Sequence, residues 1–184
     1  VIGLGLLGQL ACLILKASGV RVIGIDVSQA VVDIAEKHSA DLAMTRTAPG
    51  IEERISELTG GLGVDAVIIA AATESNDPIN FAGAIARKKG KVVMLGAVSP
   101  AFDREPHWYR KELELRMSCS YGPGRYDINY EEKGTDYPPA YVRWTEKRNM
   151  EAFQQLLADG RIDVDYLTTH EFDLVDAPKA YDMI

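Results

Sequence analysis

The amino-acid sequence predicts an α/β domain built on a doubly wound, mainly parallel β-sheet with helices on both faces. Apolar runs of the length of buried strands alternate with amphipathic stretches of helical periodicity. Glycine or proline stands at the ends of several of these segments. The chain opens on a glycine-rich stretch that lies between an apolar run and a helical pattern.

The alternation continues along most of the chain. Strands are predicted at residues 1–2, 20–25, 42–45, 64–72, 91–98 and 113–120, and helices at residues 7–17, 28–38, 50–58, 77–89 and 150–160. The basic residues Arg87, Lys88 and Lys89 are expected to end the fourth helix, because positive charge complements the negative end of a helix dipole. Gly90 is expected to close it.

Composition excludes several classes of protein. The 184 residues are 47% hydrophobic and 26% charged, an ordinary composition for a globular chain with one well-buried domain and part of a second. No window approaches the ~18 apolar residues of a membrane span, and no signal-peptide pattern is present, so the sequence predicts a cytoplasmic protein without a membrane partner. Cys12 and Cys119 are expected to be small buried residues, not a disulfide or a metal site.

Charge is unevenly distributed. Residues 1–100 hold nine Lys and Arg against ten Asp and Glu, residues 101–148 nine against nine, and residues 149–184 two against eight, for a net charge of −7. No basic face is evident, which disfavours a nucleic-acid partner. The acidic tail is predicted to be a solvated surface.

The opening glycines form the pattern Gly3-x-Gly5-x-x-Gly8, which precedes a predicted helix. In this pattern the first glycine permits a tight turn, the second lets a phosphate approach the backbone, and the third lets the helix pack closely on its strand. The free N–H groups and positive end of the helix would then face a pyrophosphate.

A carboxylate follows at the spacing that a dinucleotide site requires. The second predicted strand ends in Asp26, close to the ~20-residue offset at which an acidic residue accepts a hydrogen bond from the adenosine ribose. The alternative, that Asp26 merely caps the next helix, is weakened because Ser28 can fill that role. Glycines and carboxylate together predict a dinucleotide site.

Both ends of the chain stop within a pattern. Only Val1 and Ile2 precede Gly3, whereas strands usually run about five or six residues. The last residues, Tyr181 to Ile184, also lie within a helical pattern. The sequence is therefore expected to be part of a longer protein.

The order of motifs GLGLLG, VIGID, LTGGLGVDAVIIAAAT and GKVVMLGAV resembles the cofactor domain of the medium-chain dehydrogenase/reductase family, the relatives of zinc-type alcohol dehydrogenases. The resemblance covers the chain except residues 121–148. It implies a Rossmann sheet of six strands, with Leu113–Ser120 as the sixth. It divides the chain into an NAD-binding domain (1–120), an aromatic insertion (121–148), a last helix (149–162) and a return segment (163–184) towards a substrate domain.

The resemblance also implies the site residues. The three glycines, with the backbone of Leu6 and Leu7, would hold the pyrophosphate; Asp26 and Val27 would lie at the adenosine ribose; Ala71, Ala72 and Thr73 would border the ribose; and Gly96, Ala97 and Val98 would border the nicotinamide. Because no Arg or Lys occupies positions 27–30 to meet a 2′-phosphate, NAD is expected in preference to NADP.

No catalytic residue is assigned. His38, His107 and His170 are each expected to have structural roles. No Cys, His, Asp and Glu spacing suits zinc, and in relatives the zinc ligands belong to an N-terminal domain that this chain lacks. The isolated chain is therefore expected to bind its cofactor with little or no turnover.

Three functions remain open at this point. The first is the NAD-binding part of a dehydrogenase whose small-molecule substrate is an alcohol, such as that of a sugar or polyol. The second is a non-catalytic domain in which NAD(H) shifts a conformational equilibrium. The third is a methyltransferase that binds S-adenosylmethionine, which shares a glycine turn and an acidic residue after the second strand.

Two surfaces are candidates for contacts with other parts of an assembly. Both tryptophans and six of the eight tyrosines fall between residues 108 and 144. This segment is expected either to pack against a missing domain or subunit, or to form a lid whose Arg125, Tyr126 and Arg143 contact a polar substrate. It is similar to segments of two-part proteins that join such a dehydrogenase to an inositol-dehydrogenase-like module. Leu113–Ser120, as an edge strand, is the predicted homodimer contact.

Overall fold

The computed structural model describes residues 1–183. In chain order the strands are β1 (Ile23–Asp26), β2 (Leu42–Thr45), β3 (Val64–Ile69), β4 (Ala86–Met94) and β5 (Glu114–Met117). The helices are α1 (Leu6–Ala17), α2 (Gln29–His38), α3 (Ile51–Leu58), α4 (Asp77–Ile85), α5 (Tyr109–Lys111), α6 (Ile128–Glu131), α7 (Glu146–Ala158) and α8 (Ala177–Met183). A π-type turn covers Arg104–Trp108, and 3₁₀ turns cover Asp165–Leu167 and Leu174–Asp176.

The sheet is parallel throughout its described strands. β1 pairs with β2, and β4 lies between β3 and β5. Val1 and Ile2 join the two groups, because the Ile2 amide donates to the Ile68 carbonyl at 2.8 Å and the Ile25 amide donates to the Val1 carbonyl at 2.8 Å. Successive strands are therefore added on one side of Ile2 and then on the other. Open α/β sheets bind ligands at such a point, where the strand order reverses.

This arrangement confirms the α/β class and the Rossmann-like parallel sheet. The predicted count of six strands is not confirmed. Five strands are present in the described residues, and Ile2 contributes a single bridge to each neighbour, Ile25 and Ile69.

Apolar side chains cover both faces of the sheet. One cluster includes Ile25, Ile69 and Val92 with Ile55 of α3 and Phe81 of α4. A second cluster draws on the glycine turn, α1, α2, β2 and the residues just before β1 and β2; it contains the residues Leu4, Cys12, Val22, Val32, Ala35, Ala40 and Ala43. Burial on both faces explains why strands such as β3 are nearly continuous apolar runs.

The predicted end of the fourth helix was wrong. The helix α4 ends at Ile85, and Arg87, Lys88 and Lys89 lie in β4. The pairing of β3 with β4 shifts at this point, so residues 87–90 form an irregularity in the ladder instead of a helical turn. The last carbonyls of α4 are satisfied by a side chain that is distant in sequence: Lys111 Nζ donates to the carbonyls of Gly83, Ala84 and Ala86 at 2.6–2.9 Å.

The start of one helix and the exposure of one cysteine also differ from prediction. The helix after the sixth predicted strand begins at Glu146, four residues earlier than predicted, because Thr145 is completely buried and its hydroxyl caps the helix at the Arg148 amide. Cys12 is buried as predicted, but Cys119 is exposed because it lies beyond the end of β5. Among residues 1–183, no helix is long and apolar enough to cross a membrane.

The aromatic insertion is ordered by contacts within itself. Tyr130 stacks on Tyr137 with ring centroids 5.4 Å apart, and the Tyr137 hydroxyl donates to the Asp127 carboxylate. This bond and the Asn129 amide hold the pKa of Asp127 below its ordinary value. The insertion is thus a small folded unit, which also contains the ion pairs Arg125–Glu131 and Arg148–Asp136.

Candidate functional site

Two of the three opening glycines are required by the fold itself. Gly3 has a φ of +91°, and a Cβ at this position would lie 2.5 Å from the Ala71 amide nitrogen. A Cβ at Gly8 would lie 1.9 Å from the Gly3 carbonyl oxygen. The turn therefore has no room for side chains at either position, as the prediction for a tight turn and close helix packing required.

Gly5 is different, because nothing within the chain requires it to be glycine. Its φ of −66° is accessible to every residue, and a Cβ here would meet no atom within 4 Å. It lies at the cap position of α1, where no side chain accepts from the first amides of the helix. The open space and the unpartnered amides of Leu6 and Leu7 fit a phosphate that approaches the backbone.

Asp26 faces this turn from the end of β1. Its Oδ2 accepts a hydrogen bond from the Leu4 amide at 2.6 Å, and its Oδ1 accepts one from the Ser28 amide at 2.9 Å. The carboxylate is therefore held in place between the glycine turn and the start of α2. Because a carboxylate has about four lone-pair sites, Asp26 retains capacity to accept from ribose hydroxyls. Val27 beside it is 78% exposed.

The other predicted residues form a second group at the same edge of the sheet. Beyond β3 and β4 the chain stays paired, because the Thr73 amide donates to the Ala97 carbonyl at 2.9 Å and Thr73 bridges Val98. Ala71 also touches the glycine turn through Gly3. The two segments, 71–73 and 96–98, thus form a single paired lip beside the turn.

Two details of this lip differ from the reasoning that predicted it. The space at Gly96 is taken by the chain, because a Cβ there would lie 2.1 Å from the Ala71 carbonyl oxygen, so glycine is needed whether or not a ring approaches. The side chain of Val98 is only 8% exposed and belongs to the core. Only the backbone of Val98 is therefore available to contact a ligand.

Two residues at this edge were not identified from the sequence. Arg46 follows β2, donates its amide to the Asp26 carbonyl at 2.7 Å, and places its guanidinium 2.8 Å from the Asp77 carboxylate. The same guanidinium lies 4.0 Å above the Phe81 ring. Ser118 follows β5 and donates its amide to the Met94 carbonyl at 2.9 Å. Each directly follows a parallel strand, which is the sequence signal that could have identified them.

The three histidines lie apart from one another. His38 stacks on Tyr166 with ring centroids 4.2 Å apart, His170 stacks on Phe172 at 6.3 Å, and His107 lies in the π-type turn. Across residues 1–183, no three side chains of His, Cys, Asp or Glu come together as metal ligands.

A cavity of about 570 Å³ lies away from this site. It is lined by residues of the opposite, amino end of the strands, among them Val22, Val64 and Leu62. The glycine turn, Asp26 and the paired lip do not contribute to it. Since parallel sheets bind ligands outside the carboxyl ends of their strands, the candidate site is the crevice at the turn and not this cavity.

Fold and site together define a Rossmann-type α/β domain with a glycine turn where the strand order reverses. The chain belongs to the zinc-binding dehydrogenase family, whose model matches residues 7–132. This confirms the resemblance to zinc-type alcohol dehydrogenases. Fusion to an inositol-dehydrogenase-like module stays a prediction.

Named relatives are similar over nearly the whole chain. D-guloside 3-dehydrogenase of Escherichia coli K12 is 27% identical over 187 residues, covering 98% of this chain and 49% of the relative. Sorbitol dehydrogenase of Halalkalibacterium halodurans is 27% identical over 191 residues, covering 100% of this chain and 47% of the relative. The chain thus spans about half the length of the curated relatives it matches.

Solved structures share the fold. An alcohol dehydrogenase from Thermus sp. ATN1 superimposes with a TM-score of 0.73 at 20% identity, covering 99% of this chain and 46% of that one. A short chain alcohol dehydrogenase of E. coli CFT073, complexed with NADH, gives 0.67 at 21% identity, covering 99% and 46%. Because the relatives and structures named here are dehydrogenases, they favour neither the methyltransferase nor the sensing domain.

The zinc in the family's description does not fit the described part of this chain. Cys12 is buried in the core, Cys119 is exposed, and no cluster of ligands surrounds either. A zinc site needs three or four such ligands in tetrahedral geometry.

Proposed function

We propose that this chain is the NAD(H)-binding part of an oxidoreductase that transfers hydride between nicotinamide and an alcohol or carbonyl group. The observation that carries the proposal is Gly5: its backbone is open to solvent at the start of α1, without any internal reason to be glycine. Asp26 lies on the neighbouring strand end, bonded to the same turn. A pyrophosphate and a ribose are the ligand groups that such a pair recognises.

Each group of residues then has one task. The amides of Leu6 and Leu7 donate to phosphate oxygens, and the carboxylate of Asp26 accepts from ribose hydroxyls. The paired lip of residues 71–73 and 96–98 supports the nicotinamide half from the backbone. When bound, the nicotinamide supplies the hydride chemistry, and the protein supplies binding and orientation.

The proposed substrate is a sugar or polyol. Relatives over most of the chain include proteins named for guloside, sorbitol and erythritol/L-threitol oxidation. The aromatic insertion follows the carboxyl end of β5, and the glycine turn lies at the same end of the parallel strands. Trp144 in the insertion is 52% exposed, and the Arg143 guanidinium lies 4.4 Å from the centre of its ring. Aromatic rings and arginine suit hydroxyl-rich substrates. Arg125 is a weaker candidate for this contact, because Glu131 already pairs with it.

The cofactor is proposed to be NAD instead of NADP. A 2′-phosphate would meet the Asp26 carboxylate, and the guanidinium of Arg46 is already paired with Asp77. Isothermal titration calorimetry should give NADH a Kd roughly tenfold or more below that of NADPH, equal to about 1.4 kcal/mol. Asp26→Ser should weaken NADH binding and narrow the difference between the Kd values of NADH and NADPH.

The control for this titration is Asp33→Ser, which removes an exposed carboxylate of α2 that bonds Gln29. It should leave both affinities unchanged. Tighter binding of NADPH by the unsubstituted chain would contradict the choice of cofactor. Binding of S-adenosylmethionine without NADH would contradict the proposed function itself.

We further propose that the chain forms a homodimer through the edge strand β5. This strand pairs only with β4 among the described strands, and Met117 on it is 69% exposed. An open edge pairs readily with a second copy, and a charge on it opposes this pairing. Light scattering should give twice the mass of one chain. The Met117→Lys variant should instead give the mass of a single chain. Met150→Lys, on the exposed face of α7, should keep the dimer; a monomer without substitution would contradict the proposal.

A further inference from the structure

Gln9 is a buried polar side chain directly after the third glycine. It is only 2% exposed, and its amide group is bonded on both sides. The Nε2 atom donates to the Leu4 carbonyl at 3.1 Å and to the Val31 carbonyl at 3.3 Å. The Oε1 atom accepts from the Ser39 hydroxyl, which is itself fully buried. One side chain therefore connects the glycine turn with both ends of α2.

The return segment also contacts this amide. The Tyr166 hydroxyl donates to Gln9 Oε1 at 3.2 Å, and the Tyr166 ring stacks on His38 at 4.2 Å with an interplanar angle of 6°. Ile162, 5% exposed, and Arg161, bonded to the Ala17 carbonyl, fix the chain just before it. Burial raises the pKa of Tyr166, so its hydroxyl stays protonated and remains a donor.

Leu4 is the point at which this network meets the nucleotide site. Its amide donates to Asp26 Oδ2 and its carbonyl accepts from Gln9 Nε2, so side chains hold both the N–H and the carbonyl group of Leu4. Leu4 lies between Gly3 and Gly5, the two glycines that shape the turn. A loss of the Gln9 bond frees the Leu4 carbonyl and leaves buried polar groups unpaired, which is costly in a network of this kind.

We propose that Gln9 is a positioning residue for the glycine turn and that Tyr166 of the return segment sets its orientation. Gln9 does not touch the nucleotide; it holds Leu4, and through Leu4 the open backbone at Gly5. The return segment thereby tunes the affinity of the turn for a pyrophosphate. The role as a nucleotide site rests on the proposed function, whereas the coupling from Tyr166 to the turn does not.

The coupling is tested first without any nucleotide. Tyr166→Phe removes the hydroxyl and keeps the ring that stacks on His38. Amide hydrogen exchange followed by NMR on the full chain should show faster exchange at Leu4 and Gln9 in this variant, while amides of α7 keep their rates. Unchanged rates at Leu4 and Gln9 would overturn the proposal, whatever the chain binds.

The effect on affinity is tested second, with NADH, ADP-ribose and adenosine as probes. Gln9→Met, similar in volume and without the amide, should weaken NADH and ADP-ribose roughly tenfold. It should leave adenosine unchanged, because adenosine has no pyrophosphate and the Asp26 carboxylate keeps its bond from the Ser28 amide. Tyr166→Phe should weaken NADH and ADP-ribose about threefold, and should add nothing in the Gln9→Met background.

The matched control is Gln155→Met on the exposed side of α7, where the amide bonds Asp159. It should leave all three affinities unchanged. Equal weakening of adenosine by Gln9→Met would assign Gln9 a merely structural role and overturn the proposal. Absence of NADH binding in the unsubstituted chain, together with altered exchange in Tyr166→Phe, would reject the proposed function and retain the coupling.

Discussion

Gly5→Ala is expected to weaken NADH binding roughly 10- to 100-fold, the equivalent of about 1.5–3 kcal/mol for one lost charge-assisted hydrogen bond. The added methyl group would occupy the open space beside the first amides of α1, where a phosphate oxygen must approach. The fold should be unaffected, because the backbone angles suit alanine and no atom lies within 4 Å of the new Cβ.

Two measurements separate binding from stability in this variant. Fluorescence titration with NADH gives the affinity, and urea unfolding gives the free energy of unfolding. Ser56→Ala, on the exposed face of α3, is the control and should change neither. Wild-type affinity in Gly5→Ala would contradict the placement of a phosphate at this backbone position.

Gly8→Ala, the same chemical change three residues further along, is expected to act on stability instead. Its Cβ would lie 1.9 Å from the Gly3 carbonyl oxygen and 2.8 Å from the Gly3 carbonyl carbon. Neither atom belongs to a flexible side chain, so α1 must move away from the turn. We expect a loss of at least about 3 kcal/mol in the free energy of unfolding, a large share of the total for a domain.

Urea unfolding followed by circular dichroism measures this loss, and Gly5→Ala is the matched control. If Gly8→Ala does not fold, limited proteolysis of freshly expressed protein compares the two variants directly. Equal stability of Gly5→Ala and Gly8→Ala would contradict the close packing of α1 on Gly3.

The spacing of local patterns was sufficient for much of the fold. The alternation of apolar runs with helical patterns predicted the parallel sheet, and β2, β3 and β5 lie within the predicted ranges. The structure also brings Asp26 into contact with the glycine turn, through the Leu4 amide. These features are local, since each depends on residue type and spacing within one strand, turn and helix.

Other features depend on partners that are distant in sequence. The end of α4 was misplaced, because Lys111 and not the neighbouring basic residues satisfies its carbonyls. The reason for Gly96 lies in the carbonyl of Ala71, which no spacing rule indicates. Gln9 gave no signal at all, since its partners Ser39 and Tyr166 come from two other segments. Tertiary contacts override local preference in each case.

By itself, the sequence determined the class of fold, the family resemblance and a glycine turn beside a carboxylate, because these follow from glycines and an aspartate at short, regular spacings. Only the tertiary structure decided which of the three glycines the fold requires and which one it leaves open. A Cβ at Gly3 would meet backbone atoms of Ala70 and Ala71, and one at Gly8 would meet the Gly3 carbonyl, whereas Gly5 faces open space. That distinction depends on atoms brought together by folding. It is the reason that Gly5→Ala is expected to affect binding, whereas Gly8→Ala is expected to affect stability.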